Sequence, residues 1–327
     1  MTPSWLQRGA GLAVALAFVV VVLGAYTRLA DAGLGCPDWP GCYGYLSVPG
    51  AAANLATAAS RFPDAPFEAH KAWPEMVHRY FAGSLGILIL CLAGLALRGR
   101  ASGAPLKLPF LLLGLVVLQA AFGMWTVTLK LWPQIVTTHL LGGFATLALL
   151  WLLYLRQRRP LALAPRLRRH AVIALIAVIV QVALGGWTSS NYAALACPDF
   201  PTCQGQWWPP MDVRSGFDFF QDIGPNYLGG LMEGAARIAI HMGHRIGAIV
   251  VLFVVGALAV RVWSSHDGRR LGITLLLLLA AQIGLGIANV ELSLPLAVAT
   301  AHNATGALLL LGVITVNYRS FRSEVSR

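Results

Sequence analysis

The sequence predicts an all-α integral membrane protein whose eight transmembrane helices form two pseudo-symmetric four-helix bundles. Three observations carry that expectation: an apolar composition, eight long apolar runs, and a set of motifs that occurs twice. Of the 327 residues, 57% are hydrophobic and 11% charged, with a mean hydropathy of +0.69. An ordinary soluble domain is nearer half apolar and carries about 25% charged residues.

Crossing a bilayer takes roughly 20 apolar residues. The runs fall near 10–27, 77–97, 108–127, 137–155, 170–188, 243–262, 271–290 and 299–317. The first has only Arg8 before it, no small-residue cleavage site, and seven further runs behind it, so it reads as a retained helix rather than a signal peptide. The second opens on PEMVHRYFAG, with Pro74 suited to a first helical position and Glu75 to the positive end of the helix dipole. Two connections are long, about 28–76 and 189–242. The segment 51–70 within the first is rich in Ala and Pro and is expected to cover the site or to move.

Net charge is +11, and its distribution argues against nucleic acid. Sixteen of the 24 Lys and Arg lie on the side of the N terminus, in clusters such as Arg98, Arg100 and Lys107 or Arg156 to Arg169. The other side holds eight, with 11 of the 13 acids. The positive-inside rule then makes both termini cytoplasmic and places both long connections outside. The basic excess is a topology signal and an attraction to anionic membrane lipid. Four of the five cysteines lie in the outer connections, where paired cysteines form disulfides; sequence alone leaves three connectivities open. Cys91, in mid-helix, reads as a small buried apolar residue.

The chain repeats itself. GCPDWPGCYG (35–44) is answered by ACPDFPTCQG (196–205), HRYFAGSLGILIL (78–90) by HRIGAIVVLFVVG (244–256), and THLLGGFATLALL (138–150) by AHNATGALLLLGV (301–313). QAAFGMWTV (119–127) is answered by QIGLGIANV (282–290). The offsets are nearly constant, so residues 1–160 and 161–327 read as duplicated halves of four spans each, in the same orientation.

The repeat selects His78, His139, His244 and His302 from eight histidines, each near the outer end of an even-numbered span. A polar ring in hydrocarbon needs a partner. Zinc takes three or four protein ligands. One imidazole pair per bundle is instead the pattern of bis-histidine haem iron, held in a bundle core. Gly83, Gly86, Gly142, Gly143, Gly247 and Gly306 follow these histidines and leave flat space for a porphyrin face. Arg28, Arg79 and Arg245 stand at the outer interface as candidate propionate partners, against simple snorkelling to headgroups. Glu75 shares a helix face with His78, and the second half has His241 in its place. The half with the carboxylate is the candidate for chemistry, and the other for a b-type electron-transfer haem.

With TRLADAGLGCPDWPGC, WPEMVHRYFAG, THLLGGF, CPDFPTC, HMGHRIGA and AHNATGA all in place, the chain resembles the heme A synthase family across essentially all eight spans. The resemblance implies oxidation of the C8 methyl of haem O, through a hydroxymethyl stage, to the formyl group of haem A for haem-copper terminal oxidases. It implies haem ligation by His78, His139, His244 and His302, a catalytic role for Glu75, and outer-loop cysteine pairs at Cys36/Cys42 and Cys197/Cys203. It further implies haem O as substrate, haem A as product, haem b as cofactor and an electron acceptor of unknown identity; with no transit-peptide composition visible, a bacterial inner membrane is expected. Heme O synthase is a candidate partner, and a second copy of the chain another.

Three rivals follow from the same residues. A diheme b-type electron carrier explains the four histidines but not the Glu75/His241 asymmetry. A membrane thiol oxidoreductase would use the loop cysteines, but their spacing of five intervening residues lacks the C-x-x-C geometry of a reactive thiol. A haem-binding assembly factor without turnover differs only by assay. Trp39, Trp132, Trp207 and Trp208 read as interfacial aromatics. His70, His170 and His266 lie near the membrane surface outside the repeat, and Gln119, Gln181 and Gln282, each four residues before a glycine, read as bonding between helices.

Overall fold

The structure is a computed structural model that describes residues 4–158 and 160–322. Arg159 and Arg327, counted above among the inner basic residues, lie outside the described residues. Among those described there is no strand, and eight helices are long and apolar enough to cross a membrane, which makes this a multi-pass membrane protein. These are α1 (Ser4–Leu29), α3 (Ala69–Arg98), α4 (Lys107–Thr128), α5 (Pro133–Arg158), α6 (Arg168–Ser190), α8 (Gly234–Trp263), α9 (Arg269–Glu291) and α10 (Leu296–Phe321). Two short helices, α2 (Ala52–Arg61) and α7 (Val213–Gly216), lie in the long connections.

Helices α3 and α8 begin at Ala69 and Gly234, about two turns before the expected starts at 77 and 243. Their outer turns are too polar to read as membrane, yet their backbone continues because Ala72 and Met76 of α3, and Ile238 of α8, pack against the loops that carry the cysteines. Pro74 is therefore an interior residue of α3, not its first. It lacks the N–H that would close the turn there. Cys91 faces outward on α3 rather than inward, among the exposed Ile87, Leu90 and Leu95.

Helix packing follows the repeat. Each of α3 and α5 packs on both α1 and α4, which puts α3 and α5 at opposite corners of one four-helix ring. Each of α8 and α10 packs likewise on both α6 and α9. The rings meet through α5 on α6, α1 on α10, and α5 on α10, a pairing compatible with two related bundles. Backbone detail repeats too. α1 and α6 end with left-handed residues at Asp31 and Tyr192, closed by Ala32 N–H to Thr27 C=O and Ala193 N–H to Thr188 C=O, both 2.9 Å. α4 and α9 end at Lys130–Leu131 and Ser293–Leu294, closed by Leu131 N–H to Thr126 C=O at 2.8 Å and Leu294 N–H to Asn289 C=O at 2.7 Å. Such long bonds satisfy carbonyls that the last helical turn would otherwise leave unpaired.

The dense apolar core occupies only the end of the bundle near Arg98 and Arg156. It is built from Leu6, Ala10 and Ala13 of α1, Leu147 and Leu150 of α5, and Ile89 and Leu92 of α3 with their counterparts Val255 and Leu258 of α8. Above it the packing changes in every span at once. No residue is fully buried in 18–26, 77–84, 113–126, 134–143, 179–185, 242–250, 280–289 or 300–306. Burial resumes at the outer ends with residues such as Thr27, Val127, Trp187 and Val290.

Candidate functional site

All four repeated histidines fall in that loosely filled layer. His78 and His139 project from opposite corners of the first ring, and His244 and His302 from opposite corners of the second. Each ring rests against a glycine of the neighbouring helix. A Cβ added to Gly24 would come within 2.9 Å of His78 Cε1, and one on Gly123 within 3.4 Å of His139 Cε1. Gly185 stands in the same relation to His244, and Gly286 to His302, both at 3.2 Å. Four spans thus give up a side chain where an imidazole lies.

The glycines expected beside the histidines divide. Gly83 faces open space, whereas Gly142, Gly247 and Gly306 lie beneath the carboxamides of Gln119, Gln181 and Gln282. Two of these glutamines, Gln181 and Gln282, bond between helices as the sequence suggested, and their partners are the histidines themselves. Gln181 Nε2 lies 3.1 Å from His244 Nδ1 and donates to the His244 carbonyl at 3.0 Å. Gln282 Nε2 lies 3.2 Å from His302 Nε2, and His302 Nδ1 donates to the Gln282 carbonyl at 3.1 Å. The signal was present in the sequence as a Gln four residues before three of the four ring-facing glycines, Gly123, Gly185 and Gly286.

Outside this layer, each disulfide loop is fastened to the top of an even-numbered span. The disulfides are Cys36–Cys42 and Cys197–Cys203, which selects one of the three connectivities. In the first loop Asp38 accepts from Tyr43 N–H at 2.6 Å and Gly44 N–H at 2.8 Å; in the second Asp199 accepts from Gln204 N–H at 2.5 Å and Gly205 N–H at 3.0 Å. The Thr202 hydroxyl, at 2.5 Å, does most to hold the Asp199 carboxyl below its ordinary range, with the Gly205 and Gln204 N–H groups adding to it. The segment 51–70 is partly ordered as α2. Tyr43 lies between Phe62 and Phe67, edge to face at 5.7 and 5.4 Å, and donates to Pro66 C=O at 3.0 Å. Burial first, and then the carboxylates Glu68, Glu75 and Asp38, push the Tyr43 phenol up.

The arginines serve these loops. Arg79 donates to the carbonyls of Asp38 and Gly41, and Arg245 to those of Thr202 at 2.7 Å and Asp199 at 2.8 Å. Arg28 donates to Ser189 C=O at 2.6 Å and lies 4.1 Å over the Tyr192 ring, tying the first half to the second. Arg28 Nε is buried without a partner.

Glu75 and His241 are structural equivalents. Glu75 Oε2 accepts from Cys36 N–H at 2.9 Å while Oε1 pairs with Arg79 at 2.5 Å. His241 Nδ1 accepts from Cys197 N–H at 3.3 Å. Both side chains are only 5% exposed, so each is committed to its loop and neither reaches solvent. Bonding through Nδ1 leaves the His241 proton on Nε2.

Among the described residues no three of His, Cys, Asp and Glu converge, so a three-ligand zinc site is not built here. Imidazole pairs are, and their surroundings fit a flat iron-centred group: glycine at each ring, and the Nδ1 atoms of His78 and His139 buried without partners. An open cleft of about 920 Å³ lies far from them, between Pro160, His266, Arg270 and Arg319 at the opposite end of the spans.

Comparison with known proteins agrees with this architecture. Residues 8–314 match the family model described as cytochrome oxidase assembly protein. The chain belongs to that family. Among its relatives is a heme A synthase of Shewanella oneidensis, 47% identical over 323 residues, which are 97% of this chain and 96% of the relative. Heme A synthases of Methylobacterium radiotolerans and a Chelativorans species are 31% and 30% identical, covering 98% and 93% of this chain and 89% and 88% of theirs. The match to the cytochrome oxidase assembly family spans both halves, so neither ring is an addition peculiar to this chain.

Proposed function

We propose that the protein is a heme A synthase of the bacterial inner membrane, with both termini cytoplasmic and the histidine layer toward the outer face. It oxidises the C8 methyl of haem O, through a hydroxymethyl stage, to the formyl group of haem A. The observation that carries this reading is the pair of diagonal histidine couples, each ring against a glycine, in a chain 47% identical to a relative of that name.

In this reading residues 1–160 hold the haem that is modified, between His78 and His139, and residues 161–327 hold a resident haem b between His244 and His302. A bound haem supplies redox chemistry that no side chain has. The chain's residues do the rest. Glu75, fixed by Arg79 and by Cys36 N–H, keeps a negative charge at the edge of the N-terminal site, where it stabilises positive charge developing on the methyl carbon. With both carboxylate oxygens already engaged, it acts as a fixed charge before it acts as a mobile base. His241, in the same place, brings no such charge. Arg28 and the disulfide loops close the outer ends of the rings, and the exposed apolar flanks of the spans leave a lipid-side approach for the farnesyl tail of haem O.

The test is to produce the protein with and without a haem O supply, extract its non-covalent haems, and identify them by mass. Haem A or its hydroxylated precursor is expected from wild type and not from Glu75→Gln, which keeps a b-type spectrum. Haem B alone in every sample would favour the diheme electron carrier.

A further inference from the structure

The inner end of the molecule carries a cleft that the histidine layer does not use. It encloses about 920 Å³ between the linker that joins the halves, at Pro160 and Leu161, the turn from α8 to α9, and Arg319 of α10. Part of its lining is basic, with Arg269 and Arg270 on the first turn of α9 and Arg319 beside them. Among the described residues Asp267 is its only acid. The rest is apolar, and Trp263 at the end of α8 and Leu161 in the linker are both exposed there.

The positive charge of this cleft is unanswered. Nearby arginines are committed to backbone: Arg319 donates to Leu161 C=O and to Asp267 C=O, both at 2.7 Å, and Arg168 to Ser320 C=O at 2.8 Å. Arg269 and Arg270 are exposed, and among the described residues no side-chain hydrogen bond or ion pair holds them. Asp267 turns its carboxylate to the His266 ring instead, at 3.3 Å. The helix adds to the charge. α9 begins without a capping side chain and without an acid in its first turn, so unpaired N–H groups and the positive end of the dipole stand beside the two guanidiniums. Cations belong at the other end of a helix, and two of them here call for an anion.

We propose that this cleft binds the phosphate of an anionic phospholipid of the inner leaflet. Arg269 and Arg270 take the phosphate oxygens, a geometry that suits the guanidinium fork. Trp263 and Leu161 lie along the glycerol and the first acyl carbons, the depth that a tryptophan at a span end prefers. Basic pockets between spans on the cytoplasmic side are where such headgroups are held. Bound there, the lipid ties the α8–α9 turn to the linker between the halves, which Arg319 already grips through Leu161 C=O. The assignment takes only the orientation from the functional reading above and is independent of its haem chemistry.

The test uses the full-length protein in detergent, with native mass spectrometry to follow lipid retained after addition of phosphatidylglycerol or phosphatidylcholine, and inorganic phosphate as competitor. Wild type is expected to hold phosphatidylglycerol as a discrete adduct, to ignore phosphatidylcholine, and to keep its lipid when phosphate is added. Arg269→Gln with Arg270→Gln should weaken retention roughly 10-fold or more. Arg98→Gln with Arg100→Gln removes the same charge from the inner end of the first half and should leave retention unchanged. All four side chains are exposed, so both double variants keep the packing of the spans. Equal retention of the two lipids, or equal loss in the two double variants, overturns the proposal, because the attraction is then general to the surface. Displacement of the lipid by inorganic phosphate would assign the cleft to the free anion and overturn the lipid as its occupant. Both variants keep every histidine, so their haem content tests the functional reading separately.

Discussion

The two halves share a scaffold and differ at the points where a scaffold could become a catalyst. Both fasten a CPD-x-P-x-C loop to the top of an even span through an Asp, a disulfide and an Arg. Both lay two imidazoles on glycine. Yet the first half anchors its loop to α3 with Glu75, an ion-paired carboxylate, and the second to α8 with His241, a neutral ring accepting a single N–H. The first leaves His78 beside Val20, where the second has Gln181 beside His244. In the proposed reading the common parts would hold the haems, and the difference in charge between Glu75 and His241 would mark the half where turnover takes place.

The largest expected effect comes from exchanging the anchors. Glu75→Gln keeps the bond from Cys36 N–H but removes the charge, and should lower haem A formation about 100-fold, whereas His241→Gln should change it by less than about 3-fold. Haem A accumulation normalised to protein measures both; equal losses would erase the proposed division.

Next come the glycines under the rings. Gly24→Val places methyl groups into His78 and Gly185→Val into His244, where the added Cβ alone stands 2.9 and 3.2 Å from Cε1. Such overpacking costs about 1–3 kcal/mol, so each variant should lose roughly 10-fold or more of the haem retained in its own half and little of the other's. Haem content by half, read from the two spectral components, checks this.

Removing the loop disulfides should sharpen the contrast at a smaller scale. Each closes a loop with a sequence separation of 6, worth about 2 kcal/mol by loop entropy. Cys36→Ala with Cys42→Ala should lower both thermal stability and activity, because Cys36 N–H holds Glu75. Cys197→Ala with Cys203→Ala should lower stability with little loss of activity.

The smallest effect is a pH dependence. Asp199 is half-buried in the outer loop, and the Thr202 hydroxyl and two backbone N–H groups hold its carboxyl below the ordinary 3.8. A depressed folded value means that its contribution to loop stability is complete above the unfolded value and is lost only as pH falls through the lower folded one. Hydrogen exchange at Gln204 and Gly205 should therefore stay slow at neutral pH and quicken only in strong acid; loosening near neutrality would contradict the assignment.

Much of this was legible in the sequence. Eight apolar runs, the doubled motifs and the four repeated histidines sufficed for the spans, the helix pairing and the layer in which the rings lie. The outer turns of α3 and α8 were not legible, because their polar faces break the apolar pattern while Ala72, Met76 and Ile238 find their partners only in the folded loops. The duties of Arg79 and Arg245 were also hidden. An arginine at an outer interface looks the same whether it meets a lipid, a propionate or, as here, a row of loop carbonyls. The glutamines were seen, but that Gln181 and Gln282 reach the rings of His244 and His302 depends on helix rotation, and that is a tertiary property.

The most direct test of the division of labour is to identify the haems retained by His139→Ala and by His302→Ala when haem O is supplied. The account predicts that His139→Ala keeps haem B and loses haem O and haem A, while His302→Ala loses haem B and accumulates unconverted haem O. Loss of the same haem from both variants, or haem B lost from His139→Ala, would contradict it.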